Sequence, residues 1–190
     1  MTDPAALRPA GPPAVPASVT PCDLIGPEFA RFLHAAVGFR WHWSSRLAWE
    51  YREWLDWLAR PEVETWVAYV DGAPAGFCEM EAEAEGSVQL HSFGLLSPFH
   101  GLGIGGFLLT RVVERAWELH GDLGHDPTRR VWLHTNSLDG PHALDNYRAR
   151  GFTVIREHRR QRELPDEPPQ PWPGAGWRPG LDGPRPSPVA

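Results

Sequence analysis

The sequence predicts a single α/β domain with a mixed, mostly antiparallel central sheet and helices on both faces. Three observations predict it. The first half holds β-rich runs joined by tight-turn dipeptides, a glycine-rich loop then opens a long helix, and a strand–helix–strand pattern closes the ordered part. A chain of 190 residues is long enough for one well-buried core and short for two.

The elements follow in order. Ser18–Leu24 is expected as a short first strand and Pro27–Val37 as a helix with Phe29, Phe32, Leu33 and Ala36 on one face. Leu47–Leu58 is a second helix, its stripe Leu47, Tyr51, Trp54, Leu55 and Leu58 recurring at helical spacing. Val63–Val70 and Ala75–Ala84 read as a hairpin closed by Asp71-Gly72, and Glu85-Gly86 turns the chain into Ser87–Leu96. After the loop come a helix Ile104–Leu119, a strand Val131–Thr135, a short helix Pro141–Arg150 stopped by Gly151, and a final strand Phe152–Glu157. Proline marks the borders: six lie in residues 1–21 and nine in 165–190. Residues 1–21 are therefore expected to be a partly flexible proline-rich segment and 22–160 the domain. Residues 161–190 are expected to be a disordered tail, since they carry almost no aliphatic side chains.

Composition excludes several function classes. The net charge of −6 lacks the basic field that nucleic acid requires. No apolar run reaches transmembrane length, and the first twenty residues have no basic start followed by an apolar stretch. Cys22 and Cys78, the two cysteines, have no metal-ligand spacing, so a cytoplasmic protein with reduced thiols, no metal and no membrane partner is expected.

The segment Ser97-Pro-Phe-His-Gly-Leu-Gly-Ile-Gly-Gly106 follows a strand and opens a helix. Such a junction offers unpaired N–H groups and the positive end of a helix dipole, and glycines let phosphate oxygens approach the backbone. Gly101, Gly103 and Gly106 also fit a dinucleotide fingerprint. That fingerprint normally opens a doubly wound domain, whereas this one follows most of the strands, so NAD is the weaker reading.

The stretch His100-Gly-Leu-Gly-Ile-Gly105 resembles the R/Q-x-x-G-x-G/A motif of the GNAT superfamily of acyl-CoA N-acyltransferases. His134 to Phe152, with its Tyr147-Arg-Ala-Arg-Gly-Phe152, resembles that superfamily's strand, helix and Tyr-x-x-x-Gly-Phe segment. The resemblance covers roughly residues 25–158. It implies a GNAT-like fold and transfer of an acetyl group from acetyl-CoA, as co-substrate, to a primary amine of a small molecule or peptide by direct attack. A monomer or homodimer is implied. His100, Gly101, Leu102, Gly103, Ile104, Gly105 and Gly106 would bind the pyrophosphate, although His100 and Leu102 stand where basic or amide side chains are usual. Leu95 and Leu96 would offer backbone donors to the thioester, and Asn136 would contact the pantetheine or a bridging water.

For the chemistry, the resemblance implies Tyr147 as the acid that protonates coenzyme A. The usual carboxylate base falls at Gln89, which cannot act as one. The base then becomes His91, two positions on, or Glu79 on the adjacent strand. Glu81 and Glu83 share the sheet face of Glu79. Trp41 and Trp43 would wall the acceptor site, aromatic faces being suited to a cationic amine. Core packing is the alternative for these rings, a satisfied strand histidine for His91 and a local turn for Asn136. The competing function is an acyl-CoA-binding module of the same fold with little or no turnover.

Overall fold

The computed structural model describes residues 1–159 and 161. The tail expected at 161–190 lies, apart from residue 161, outside the described residues. Five strands form one sheet in chain order: β1 (Ser18–Pro21), β2 (Val63–Val70), β3 (Ala73–Glu83), β4 (Ser87–Leu95) and β5 (Arg130–Leu133). The first three pairings are antiparallel and β4–β5 is parallel. Asp71 and Gly72 both take positive φ, 48° and 79°, the hairpin geometry whose twist matches that of the paired strands.

Alternation along β3 assigns the two faces. Cys78, Met80 and Ala82 enter a core with Val88, Leu90 and Val131 and with Leu108, Leu109, Val112 and Ala116 of α3 (Ile104–Asp122). Phe77 points the other way, to Leu33 and Val37 of α1 (Pro27–Gly38) and to Val67. Each fully buried Leu or Val in these clusters contributes about 1.5–3 kcal/mol. Glu79 and Glu81 are in phase with Phe77 and therefore lie on the side of α1 and of α2 (Tyr51–Leu58).

A bulge changes the phase of β4. Met80 pairs with Leu90 but Glu79 pairs with Ser92, so His91 is the extra residue. Upstream of it Val88 and Leu90 face α3; downstream, Phe93 and Leu95 take that side. His91 follows Leu90 in the alternation and so faces away from α3, while the bulge puts Ser92 rather than His91 across from Glu79.

Several boundaries differ from the sequence reading. α2 begins at Tyr51 rather than Leu47, because Glu50 and Glu53 form a reciprocal capping box there; Leu47 sits in a 3₁₀ turn, Ser45–Ala48. The short helix α4 spans Ala143–Ala149. The expected strand Phe152–Glu157 does not form. Its place beside β5 is taken by the chain start: the Met1 amino group donates to the Val131 carbonyl at 2.8 Å, and the Val131 N–H donates to the Met1 carbonyl at 2.9 Å. The Phe152 N–H instead closes back on Tyr147. Residues 1–17, expected to be partly flexible, lie against the domain, with Met1, Leu7 and Val15 packed on the α3-side core. No helix among the described residues is long and apolar enough to cross a membrane.

Candidate active site

β4 and β5 pair only as far as Leu90 opposite Leu133, while β4 continues to Leu95. From His91 onward that edge of β4 has no strand beside it among the described residues, and the two strands part just before the glycine loop. Gly101 and Gly103 both have φ +79°, a backbone that other residues adopt only with strain. Gly103 is the N-cap of α3, and Phe107 is the first residue whose N–H closes a helical turn, onto Gly103. The N–H groups of Ile104, Gly105 and Gly106 thus precede the ladder, and no acidic side chain occupies the first turn to offset the dipole. Ile104 itself is fully buried and anchors the turn.

Neighbours of the loop decide the rest. A Cβ on Gly101 would meet nothing within 4 Å, so that side is open. A Cβ on Gly106 would approach Arg150 Nη1 at 2.5 Å and the Ala10 methyl at 3.1 Å. Arg150 therefore lays its guanidinium against the start of α3, with no carboxylate partner among the described residues and its Nε buried without a hydrogen bond. Sequence reasoning missed Arg150, which sits one residue before Gly151 in the motif; its basic character was the available signal. His100 Nε2 donates to the Leu95 carbonyl at 3.0 Å. The Leu96 N–H is bonded to the Ala75 carbonyl, which leaves Leu95 the freer of the two expected backbone donors. The Leu102 carbonyl accepts from the Ala14 N–H, and Ala10 N–H donates to Thr110 Oγ1, so the proline-rich segment runs alongside the loop.

Tyr147 is buried on the α3 side, edge-on to Phe93 at 5.8 Å and to Phe152 at 6.4 Å. Burial first, then the negative charge of Asp139, push its phenol well above the ordinary tyrosine value. Its hydroxyl has no hydrogen-bond partner among the described residues.

His91 lies on the opposite sheet face. Its Nε2 is 2.7 Å from Glu81 Oε2, and Trp57 of α2 stands perpendicular to its ring at 5.4 Å. Glu79, 2% exposed, is ion-paired to Arg46, whose guanidinium lies over the rings of Trp49 and Trp57. The two candidate bases therefore differ in access: Glu79 is buried against a guanidinium, whereas the His91 side chain is 21% exposed and, among the described residues, has one ring nitrogen without a partner. Glu81, Glu83 and His91 bring ligand atoms within 4.8 Å of one another, a group with the composition of a cation site. Its members are already partnered, Glu81 by Arg60 and His91 and Glu83 by Trp132 Nε1.

The remaining expected residues separate. Asn136 Oδ1 accepts from the Leu138 N–H, and its own N–H donates to Asp139, which also holds Thr135 Oγ1; this is the local turn. Trp41 covers that turn, within 3.3 Å of where a Gly140 Cβ would lie. Trp43 packs on Gly38, Phe77 and His34 in the α1-side core. His42, at φ 56°, reverses the chain between them and sends the two rings apart.

The profile of the acetyltransferase (GNAT) family matches residues 31–152. A comparison with curated proteins gives no match. Among solved structures the chain is similar in fold to an aminoglycoside acetyltransferase from an uncultured soil metagenomic sample in complex with sisomicin, with TM-score 0.57, 13% identity, and 78% and 95% of the two chains covered. AAC(6′)-Iy in complex with a bisubstrate analogue, CoA-S-monomethyl-acetylneamine, gives 0.53 at 16% identity, covering 78% and 99%. The ribosomal-protein-S18-alanine N-acetyltransferase from Escherichia coli gives 0.54 at 12% identity, covering 73% and 78%.

Proposed function

The chain belongs to the acetyltransferase (GNAT) family, and on that premise we propose that it moves an acetyl group from acetyl-CoA to a primary amine by direct attack. One observation carries the reading: an uncompensated helix start, opened by left-handed glycines, lies where β4 and β5 part. The pyrophosphate of coenzyme A would sit on the N–H groups of Gly103 to Gly106. Arg150 would supply the charge that His100 and Leu102 do not. The pantetheine would then run into the gap beside Leu95, whose N–H is the proposed donor to the thioester oxygen.

The gap has a different chemistry on each side. Tyr147, on the α3 side, is the proposed proton donor to the departing thiolate. Its raised pKa makes it a poor free acid but keeps it protonated and able to donate a hydrogen bond as charge builds on sulfur. His91, on the α1/α2 side, is the proposed acceptor of the amine proton. The acceptor is a small-molecule or peptide amine, drawn to a face lined by Glu81 and Glu83 with Trp49 and Trp57 nearby; the aminoglycoside and ribosomal-protein enzymes above act on amines of both sizes. Trp41, beside the Asn136 turn, is the better placed of the two expected wall residues.

The test is binding followed by turnover. Coenzyme A should bind the wild-type chain and bind Gly105→Glu far more weakly, since the new carboxylate would stand at the phosphate site. Acetyl-CoA with a panel of amines should then release free thiol. Equal binding by wild type and Gly105→Glu would place the ligand elsewhere; binding without thiol release from any amine would favour the module without turnover.

A further inference from the structure

We propose that Glu81 is a positioning residue: it fixes the neutral His91 ring as the Nε2–H tautomer and leaves Nδ1 to take the proton from the acceptor amine. This rests on the acetyl-transfer reading above and adds to it a residue whose sequence pattern shows only one more carboxylate on a strand face.

The geometry begins with the bulge. Alternation from Leu90 points His91 away from α3, and because it is the extra residue of β4 it has no partner directly across β3, Ser92 standing opposite Glu79. The His91 Nε2 comes to 2.7 Å from Glu81 Oε2, with side chains 21% and 14% exposed. The other oxygen of that carboxylate is held by Arg60 Nη2. Arg60 in turn lies over the Trp57 ring at 4.9 Å, and Trp57 stands against His91. Glu81 thus has each oxygen bound to a different partner, and the partners themselves are wedged by one tryptophan.

The protonation logic follows. Burial works to raise the Glu81 pKa, but hydrogen bonds from Arg60 and His91 outweigh it and hold the carboxyl below its usual value. An ionised carboxylate only accepts, so the nitrogen facing it must carry the hydrogen. In a neutral ring the lone pair is then on Nδ1. Among the described residues that atom has no hydrogen-bond partner and is not one of the buried unpartnered atoms. Other charges facing the ring are already engaged: Glu83 of β3 accepts from Trp132 of β5, and Glu79 is paired with Arg46 from the turn before α2. In the reaction the amine nitrogen bonds to the acyl carbon and the C–S bond breaks. The amine proton ends on His91 Nδ1, and the thiolate takes its proton from the hydroxyl proposed above.

The test reads the tautomer directly. The full chain, labelled with ¹⁵N-histidine, is examined by long-range ¹⁵N–¹H correlation at a pH of about 8, above the ordinary imidazole range. Wild type should show His91 as Nε2–H. Glu81→Gln, which keeps an accepting oxygen, should retain that pattern, and Glu81→Leu should yield a mixture of both tautomers. In turnover assays Glu81→Leu should lose kcat by about tenfold or more while its KM for acetyl-CoA stays within about twofold. An Nδ1–H ring in wild type would overturn the proposal without any variant needing to fold. So would an unchanged tautomer in folded Glu81→Leu. Failure of the acetyl-transfer reading shows separately, as wild-type chain that binds no coenzyme A.

Discussion

Replacing Glu79 separates a structural carboxylate from a catalytic one. The side chains of Glu79 and Arg46 are 3% and 12% exposed, so their ion pair is largely withdrawn from water. Removing one partner of such a pair leaves the other charge buried and costs about 3–5 kcal/mol. Here Arg46 keeps some support, because its guanidinium rests 4.8 Å from the Trp49 ring centroid and 4.4 Å from that of Trp57. That places Glu79→Leu at the low end, about 3 kcal/mol. With a urea slope of about 2 kcal/mol per molar, the unfolding midpoint should fall by about 1.5 M. Arg46→Met combined with Glu79→Leu should recover most of the loss, since no lone charge remains. Glu79→Gln keeps the shape and an acceptor for Arg46, so thiol release should stay within about threefold of wild type. The reasoning fails if Glu79→Gln folds as stably as wild type yet loses about a hundredfold or more in kcat. That outcome would make Glu79 the base in place of His91.

Tyr147→Phe should fold and bind coenzyme A normally, because the hydroxyl makes no hydrogen bond among the described residues, while kcat falls by about a hundredfold; wild-type kcat in the variant would give the acid role to water. Since the phenol pKa is raised, no loss of activity assignable to Tyr147 ionisation should appear as pH rises to about 10, which a wild-type pH–rate profile checks against the Phe variant. Arg150→Gln should weaken coenzyme A binding by about tenfold, measured by calorimetry, and flatten its salt dependence; unchanged affinity would remove Arg150 from the phosphate site. Stability should respond to His34, whose pKa is lowered to about 4 chiefly by burial and further by Arg46. The unfolded ring binds its proton first, so that contribution is whole above about pH 6.5 and is lost as pH falls toward 4, up to about 3 kcal/mol. Denaturant titrations of wild type and His34→Phe at both pH values should differ in that slope.

The parts of the fold that were legible in the sequence are those fixed by local rules. The Asp71-Gly72 turn, the alternation of β3 and the glycine loop each depend on a few adjacent residues, and each stands where the sequence puts it. The missed final strand is of another kind. Phe152–Glu157 has a strand's composition, but strand formation needs an unoccupied edge, and Met1, some 130 positions away, holds β5 at Val131. No local signal reports such competition.

The site divides in the same way. Loop residues are set by backbone geometry and could be read in order, and the face of His91 follows from alternation; its partner could not be read, because one extra residue in β4 puts Ser92 across from Glu79. With His91 in the bulge, the ring meets Glu81 rather than Glu79, and Glu79 is left to Arg46. A sequence shows three alternating glutamates that look equivalent. Their partners make them different: Arg46 for Glu79, Arg60 and His91 for Glu81, Trp132 for Glu83. Two of those partners, Arg46 and Arg60, come from the segments flanking α2, so the region whose sequence shows only an apolar stripe also sets the electrostatics of the opposite wall. Substitution of Arg60, which holds Glu81, should therefore alter proton transfer before it alters stability, and Trp57, in contact with Arg46, Arg60 and His91 together, is the position where that coupling is tightest.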